Sequence, residues 1–119
     1  MGWDIFFVFG IQLFVILSAI LLLVKIPPIN SFYGYRTNMS SINNEYWKYA
    51  NKVAAKTIIV ISVLSILIGV ALLISKYCFN FEIDLFWFFI ISVALIIFAP
   101  IVFTETKLRI KKRHEKTNE

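Results

Sequence analysis

The strongest constraint on this chain of 119 residues is where its charges are missing: three runs, residues 5–24, 57–74 and 85–103, carry none. Each run is apolar around its whole circumference. A helix rises about 1.5 Å per residue, so about 20 such residues cross the roughly 30 Å hydrocarbon layer of a bilayer. A closed β-barrel also satisfies its backbone in lipid, but its strands alternate apolar and polar residues, and these runs do not. A hydrophobic fraction of 60% agrees, because a soluble domain must also cover itself with polar groups. The expected fold is all-α: an integral membrane bundle of three transmembrane helices, one domain over residues 1–119. The first run is not expected to be cleaved as a secretory signal. No Lys or Arg precedes it, it is longer than an h-region, and Lys25-Ile26-Pro27-Pro28 is a poor cleavage site.

Three spans put residues 25–56 and the C-terminal tail on one side, and the N-terminus with residues 75–84 on the other. Lys25, Arg36, Lys48, Lys52, Lys56, Lys107, Arg109, Lys111, Lys112, Arg113 and Lys116 fall on the first side and only Lys76 on the second, a split of eleven to one. By the positive-inside rule the N-terminus is expected outside and the C-terminus in the cytosol, with the protein in the plasma membrane. The net charge of +5 is then a topology signature, and no nucleic-acid partner is expected. A basic cytosolic tail over residues 105–119 would be solvated, with attraction to anionic headgroups as a secondary role. The single cysteine, Cys78, excludes an intrachain disulfide and falls on the outer side.

The first helix should end near Val24, where Lys25 can snorkel and Pro27-Pro28 cannot continue a helix. Asn30, Ser31, Gly34 and Asn38 favour turns, while Phe32, Tyr33 and Tyr35 suit a loop packed on helix ends with its hydroxyls wet. Ser40 or Ser41 can cap a long second helix over about residues 41–75 that extends into the cytosol. There Ile42, Tyr46, Tyr49 and Val53 form an apolar stripe, and Asn44, Lys48, Lys52 and Lys56 a polar one. Ser62, Ser65 and Gly69 make a small-residue face for helix packing and a candidate homo-oligomer contact, and Gln12 is expected to hydrogen-bond to a neighbouring helix.

The residues argue against catalysis. His114 is the only histidine, the acids are scattered, and no metal-ligand spacing, nucleophile motif or phosphate-binding Gly loop appears, so neither an enzyme nor a cofactor or metal is expected. No ionisable residue lies inside a predicted span, where ion-coupled carriers usually bury one. The densest polar and aromatic cluster is residues 30–51. Two readings of it stand together: Arg36 and Glu45, with Asn30, Tyr35 and Asn51, tie the loop to the second helix, or Arg36 receives an anionic group of a partner.

The stretch from Ile26 to Thr37, above all Tyr33-Gly34-Tyr35-Arg36-Thr37, followed by Ser40, Ser41, Trp47 and Asn51, resembles the signature of the SdpI family of bacterial membrane proteins. That family places an Asn, a Gly-aromatic-Arg-Thr core, a Ser or Thr, a Trp and an Asn or His between the first two helices of a three-helix unit. Asn30, Gly34 to Thr37, Ser40, Trp47 and Asn51 match in order and location; Asn38 stands where family members commonly have Pro. The best-known members carry further N-terminal helices, so the match here is to a short three-helix form. The resemblance implies immunity to a secreted antimicrobial peptide toxin (bacteriocin resistance) and, as in the founding system, signalling through recruitment of a cytosolic regulator. A small membrane carrier or a lipid-headgroup-binding protein, with Arg36 as the anion contact, is the alternative.

Overall fold

The computed structural model of the chain describes residues 2–30 and 34–117. Its helices are α1 (Gly2–Ile5), α2 (Ile11–Val24), α3 (Asn44–Cys78) and α4 (Leu85–Thr117), with a π-helical turn, Phe6–Gly10, joining α1 to α2. α1, the π turn and α2 make one rod, so three helices are long and apolar enough to cross a membrane, as the charge-free runs require. The described residues contain no strand. α3 lies in the centre, packed along α2 and α4, and the π turn touches both α3 and α4.

The helix ends follow local chemistry. α2 stops at Val24: Lys25 has left helical geometry while its N–H still donates to the Leu21 carbonyl at 3.2 Å. α3 starts later than a cap at Ser40 or Ser41 would place it, because Asn43 is the cap; its side-chain oxygen accepts from the Tyr46 N–H at 2.9 Å. At the far end α3 runs to Cys78, past Ser75, and Asn80 then takes the left-handed conformation, φ 57°, which Asn tolerates better than most residues. Residues 105–117 are no loose tail but continue α4 to Thr117. Leu108 is fully buried with Tyr46 and Ala50, and Lys111 reaches Glu45 at 2.8 Å and Glu115 at 3.3 Å. The bundle is 61 Å long, about twice the hydrocarbon thickness, because α3 and α4 project together beyond the spans at the basic end.

Small side chains let the helices close up. Ser62, Ser65 and Gly69 are all buried on α3, and a Cβ on Gly69 would come within 2.7 Å of Val8 Cγ1 and 3.1 Å of the Phe88 ring. This face is therefore filled within one chain, and a homo-oligomer would have to use another. Outward, Phe14, Leu21 and Val24 on α2, Leu67 on α3, and Trp87, Phe98 and Val102 on α4 are all more than half exposed. So extensive an apolar surface is one that lipid covers; the chain is a membrane protein.

Gln12 departs from expectation. It is fully buried, yet among the described residues neither its Oε1 nor its Nε2 has a hydrogen-bond partner; the hydroxyls of Ser62 and Thr104 share that condition. The amide is sealed from water in the packed middle of the bundle, where a polar group without a partner is costly. Gln12→Leu, of similar volume, should therefore stabilise the bundle, by roughly 1–3 kcal/mol for an unsatisfied buried group removed. Reversible unfolding in mixed micelles reads this as a raised midpoint, whereas a lowered one would mean that the amide is hydrogen-bonded.

Candidate functional site

The loop between α2 and α3 is held to α3 by a side-chain amide that imitates a peptide group. Asn51 Oδ1 accepts from the Tyr35 N–H at 2.6 Å, while its Nδ2 donates to the Tyr35 carbonyl at 3.3 Å and to the Trp47 carbonyl at 2.9 Å. Both donors and one acceptor of the fully buried amide are used. This pairing brings the loop backbone so close to α3 that Gly34 has no room for a side chain. A Cβ there would lie 2.6 Å from Asn51 Oδ1 and 3.2 Å from Trp47 Cζ2, and the residue's φ of +103° is itself unfavourable for any residue with a Cβ.

Trp47, 1% exposed, supplies the second brace: its indole N–H donates to the Pro27 carbonyl at 2.7 Å. A buried indole needs an acceptor, and a carbonyl in the non-helical Pro27-Pro28 step has no helical donor to satisfy it. The third brace is local. The Thr37 N–H donates to Ser40 Oγ at 2.8 Å and the Ser40 N–H to Thr37 Oγ1 at 3.1 Å, a reciprocal pair like a capping box. It closes one turn, with the Ser41 N–H on the Thr37 carbonyl at 3.1 Å. The fourth reaches α4. Tyr35 donates its hydroxyl to Glu105 Oε1 at 2.7 Å, so this hydroxyl is bound rather than wet, and burial together with the neighbouring carboxylate pushes its pKa well above the usual phenol range.

Arg36 lies between these braces and is exposed. With Ile29, Asn30, Thr37, Asn38 and Ser41 it lines an open cavity of about 550 Å³. Asn30 holds the near wall by donating to the Pro28 carbonyl at 2.8 Å. Beyond Met39, the α4 face carrying Arg109, Lys112, Arg113 and Lys116 borders a smaller hollow of about 290 Å³. The guanidinium and these cations make the whole basic end attractive to carboxylate or phosphate, and the cavity's amides and hydroxyls supply neutral hydrogen-bonding groups around the charge.

The structure thus gathers Asn30, Gly34, Tyr35, Arg36, Thr37, Ser40, Trp47 and Asn51 at one end of the bundle, and places Gln12, Ser62, Ser65 and Gly69 in the packed middle. Tyr33, the motif's first aromatic, lies outside the described residues. Tyr35 and Asn51 do join the loop to α3, but Glu45 serves a different join, its carboxylate 2.8 Å from Lys111 on α4. Helix geometry gives the reason: Glu45 lies in the first turn of α3, beside the projecting part of α4. Sequence reasoning missed Glu105, Lys111 and the Pro27 carbonyl. Of these only the last had a local signal, the unpaired carbonyls that a Pro-Pro step leaves; the other two depend on the helical continuation of α4.

No curated protein and no solved structure matches the chain. A model of the SdpI/YfhL protein family does, over residues 25–104, from the end of α2 through the loop, α3 and the apolar part of α4. Those residues include the loop with Trp47 and Asn51 and stop one short of Glu105. The chain belongs to the SdpI/YfhL protein family.

Proposed function

We propose that this is a non-enzymatic protein of the plasma membrane that gives its cell immunity to a secreted antimicrobial peptide toxin, and that its braced loop docks a cytosolic regulator. Likeness to the family supports the immunity reading. One observation carries the docking reading to this chain: Arg36 is exposed on the lining of an open cavity of about 550 Å³, in a loop that Tyr35, Thr37, Ser40, Trp47 and Asn51 hold in place. A loop so constrained presents a charge without the entropy cost of ordering it on binding. The imbalance of Lys and Arg favours a cytosolic basic end, with the N-terminus outside; a regulator offering a carboxylate would meet Arg36 there.

Expression in a sensitive bacterium should raise tolerance to a membrane-active peptide, and no gain against any such peptide would count heavily against immunity. Arg36→Ala should insert normally yet lose the membrane recruitment of its regulator. The polar lining of the cavity favours a second reading, a small carrier or an anion-binding protein with Arg36 as the contact. Reconstituted vesicles would then show a flux of ions or small anions that Arg36→Ala abolishes, and silence in that assay discards it.

A further inference from the structure

A crevice of about 320 Å³ opens between α3 and α4 toward the lipid-facing side, lined by Lys56, Thr57, Val60, Ile61 and Phe103. Its walls lie within the apolar lengths of the two helices, with Val60 57% and Phe103 48% exposed. The Thr57 hydroxyl is turned away to the Val53 carbonyl at 2.8 Å. Charge enters only at the mouth. Lys56 lines the crevice directly, and Lys107 Nζ sits 5.4 Å from the centre of the Phe103 ring.

Helical side chains lean toward the N-terminus of their helix, and α3 and α4 run in opposite directions. Lys56 therefore leans out of the span toward the basic end, whereas Lys107 leans back over the Phe103 ring, so both cations serve the same mouth of the crevice. Neither is paired with a carboxylate among the described residues. Glu105, the acid nearest in sequence, lies two positions from Phe103 and so about 200° around α4, where it accepts from Tyr35.

We propose that this crevice binds an anionic phospholipid, with an acyl chain against Val60, Ile61 and Phe103 and the phosphate between Lys56 and Lys107. A zwitterionic lipid would fill the apolar part but add no net negative charge to match the two cations. A free anion would meet two solvated lysines and gain nothing from the apolar walls. Basic pockets between transmembrane helices are suited to headgroups of this kind. The site is separate from the Arg36 cavity and does not depend on the toxin-immunity reading.

Native mass spectrometry of the full chain, released from micelles holding equal amounts of phosphatidylglycerol and phosphatidylcholine with matched chains, tests this. The wild type should retain phosphatidylglycerol preferentially. A lysine at a membrane surface is worth about five-fold in binding, so Lys56→Gln with Lys107→Gln should reduce that preference by about thirty-fold. Lys25→Gln with Lys48→Gln removes the same charge from two exposed positions outside the crevice and should leave the preference in place. Val60→Trp, which fills the crevice at constant charge, should lower retention, and millimolar inorganic phosphate should not displace the lipid. No preference in the wild type, equal losses from the two lysine pairs, unchanged retention in Val60→Trp, or displacement by phosphate would each overturn the assignment.

Discussion

Asn51→Leu is expected to destabilise the protein by about 3 kcal/mol, although it puts a larger apolar side chain at a fully buried position. Three hydrogen bonds disappear with the amide, and two of them serve the Tyr35 backbone, whose N–H has Asn51 as its acceptor while its carbonyl also accepts from Ser40 Oγ at 3.4 Å. Leaving a buried polar group unsatisfied costs about 1–3 kcal/mol, and Tyr35 is only half-buried, so water recovers part of the sum. Asn51→Asp is the sharper variant. It keeps the acceptor for the Tyr35 N–H but sets a carboxylate oxygen against the carbonyls of Tyr35 and Trp47, so it should be no better tolerated than Leu near neutral pH. Equilibrium unfolding in mixed micelles measures both, and a loss below about 0.5 kcal/mol would show that the amide is not a brace.

Gly34→Ala should have an effect of similar size from a single methyl group. The left-handed side of backbone space costs a residue with a Cβ about 1–2 kcal/mol, and at φ +103° that cost is unavoidable. The methyl carbon would also stand 2.6 Å from Asn51 Oδ1, an atom that cannot retreat without breaking its bond to the Tyr35 N–H. Strain and the lost hydrogen bond together should reach about 3 kcal/mol. Because both variants damage the same contact, the double variant should be markedly less than additive. Full additivity in a double-mutant cycle would mean that Gly34 and Asn51 act separately.

Residues that obey a one-dimensional rule were legible before the structure. The spans follow from uncharged runs, and the end of α2 at Val24 follows from Pro27-Pro28. The small face of Ser62, Ser65 and Gly69 is a matter of periodicity, and it is buried. Less visible was what competes locally. Ser40 looked like the cap of α3, but its hydroxyl is committed to the turn with Thr37, which leaves the cap to Asn43 three residues later. Glu45 was expected, with Arg36, Asn30, Tyr35 and Asn51, to tie the loop to the second helix, yet its neighbour is decided by α4. No reading of residues 25–56 alone could find that, since it requires the basic tail to be a helix. The loop motif was recognisable as a signature, but its physical content, an amide doubling as a peptide group beside a glycine with no room for Cβ, emerges only when residues 34 and 51 are seen in contact.

Five of the motif's side chains hold the loop. Asn51 pairs with its backbone, Trp47 anchors it to Pro27, Thr37 and Ser40 close its turn, and Tyr35 crosses to Glu105. Arg36 is exposed on the lining of the open cavity, where a partner can reach it, so stability and function should separate along the motif. Comparing Arg36→Ala with Asn51→Leu in one unfolding experiment measures that separation directly. The Arg36 variant should unfold within about 0.5 kcal/mol of the wild type, as a surface substitution does, while the Asn51 variant falls well below it. A loss in Arg36→Ala as large as that in Asn51→Leu would contradict the division, and would make the arginine one more brace.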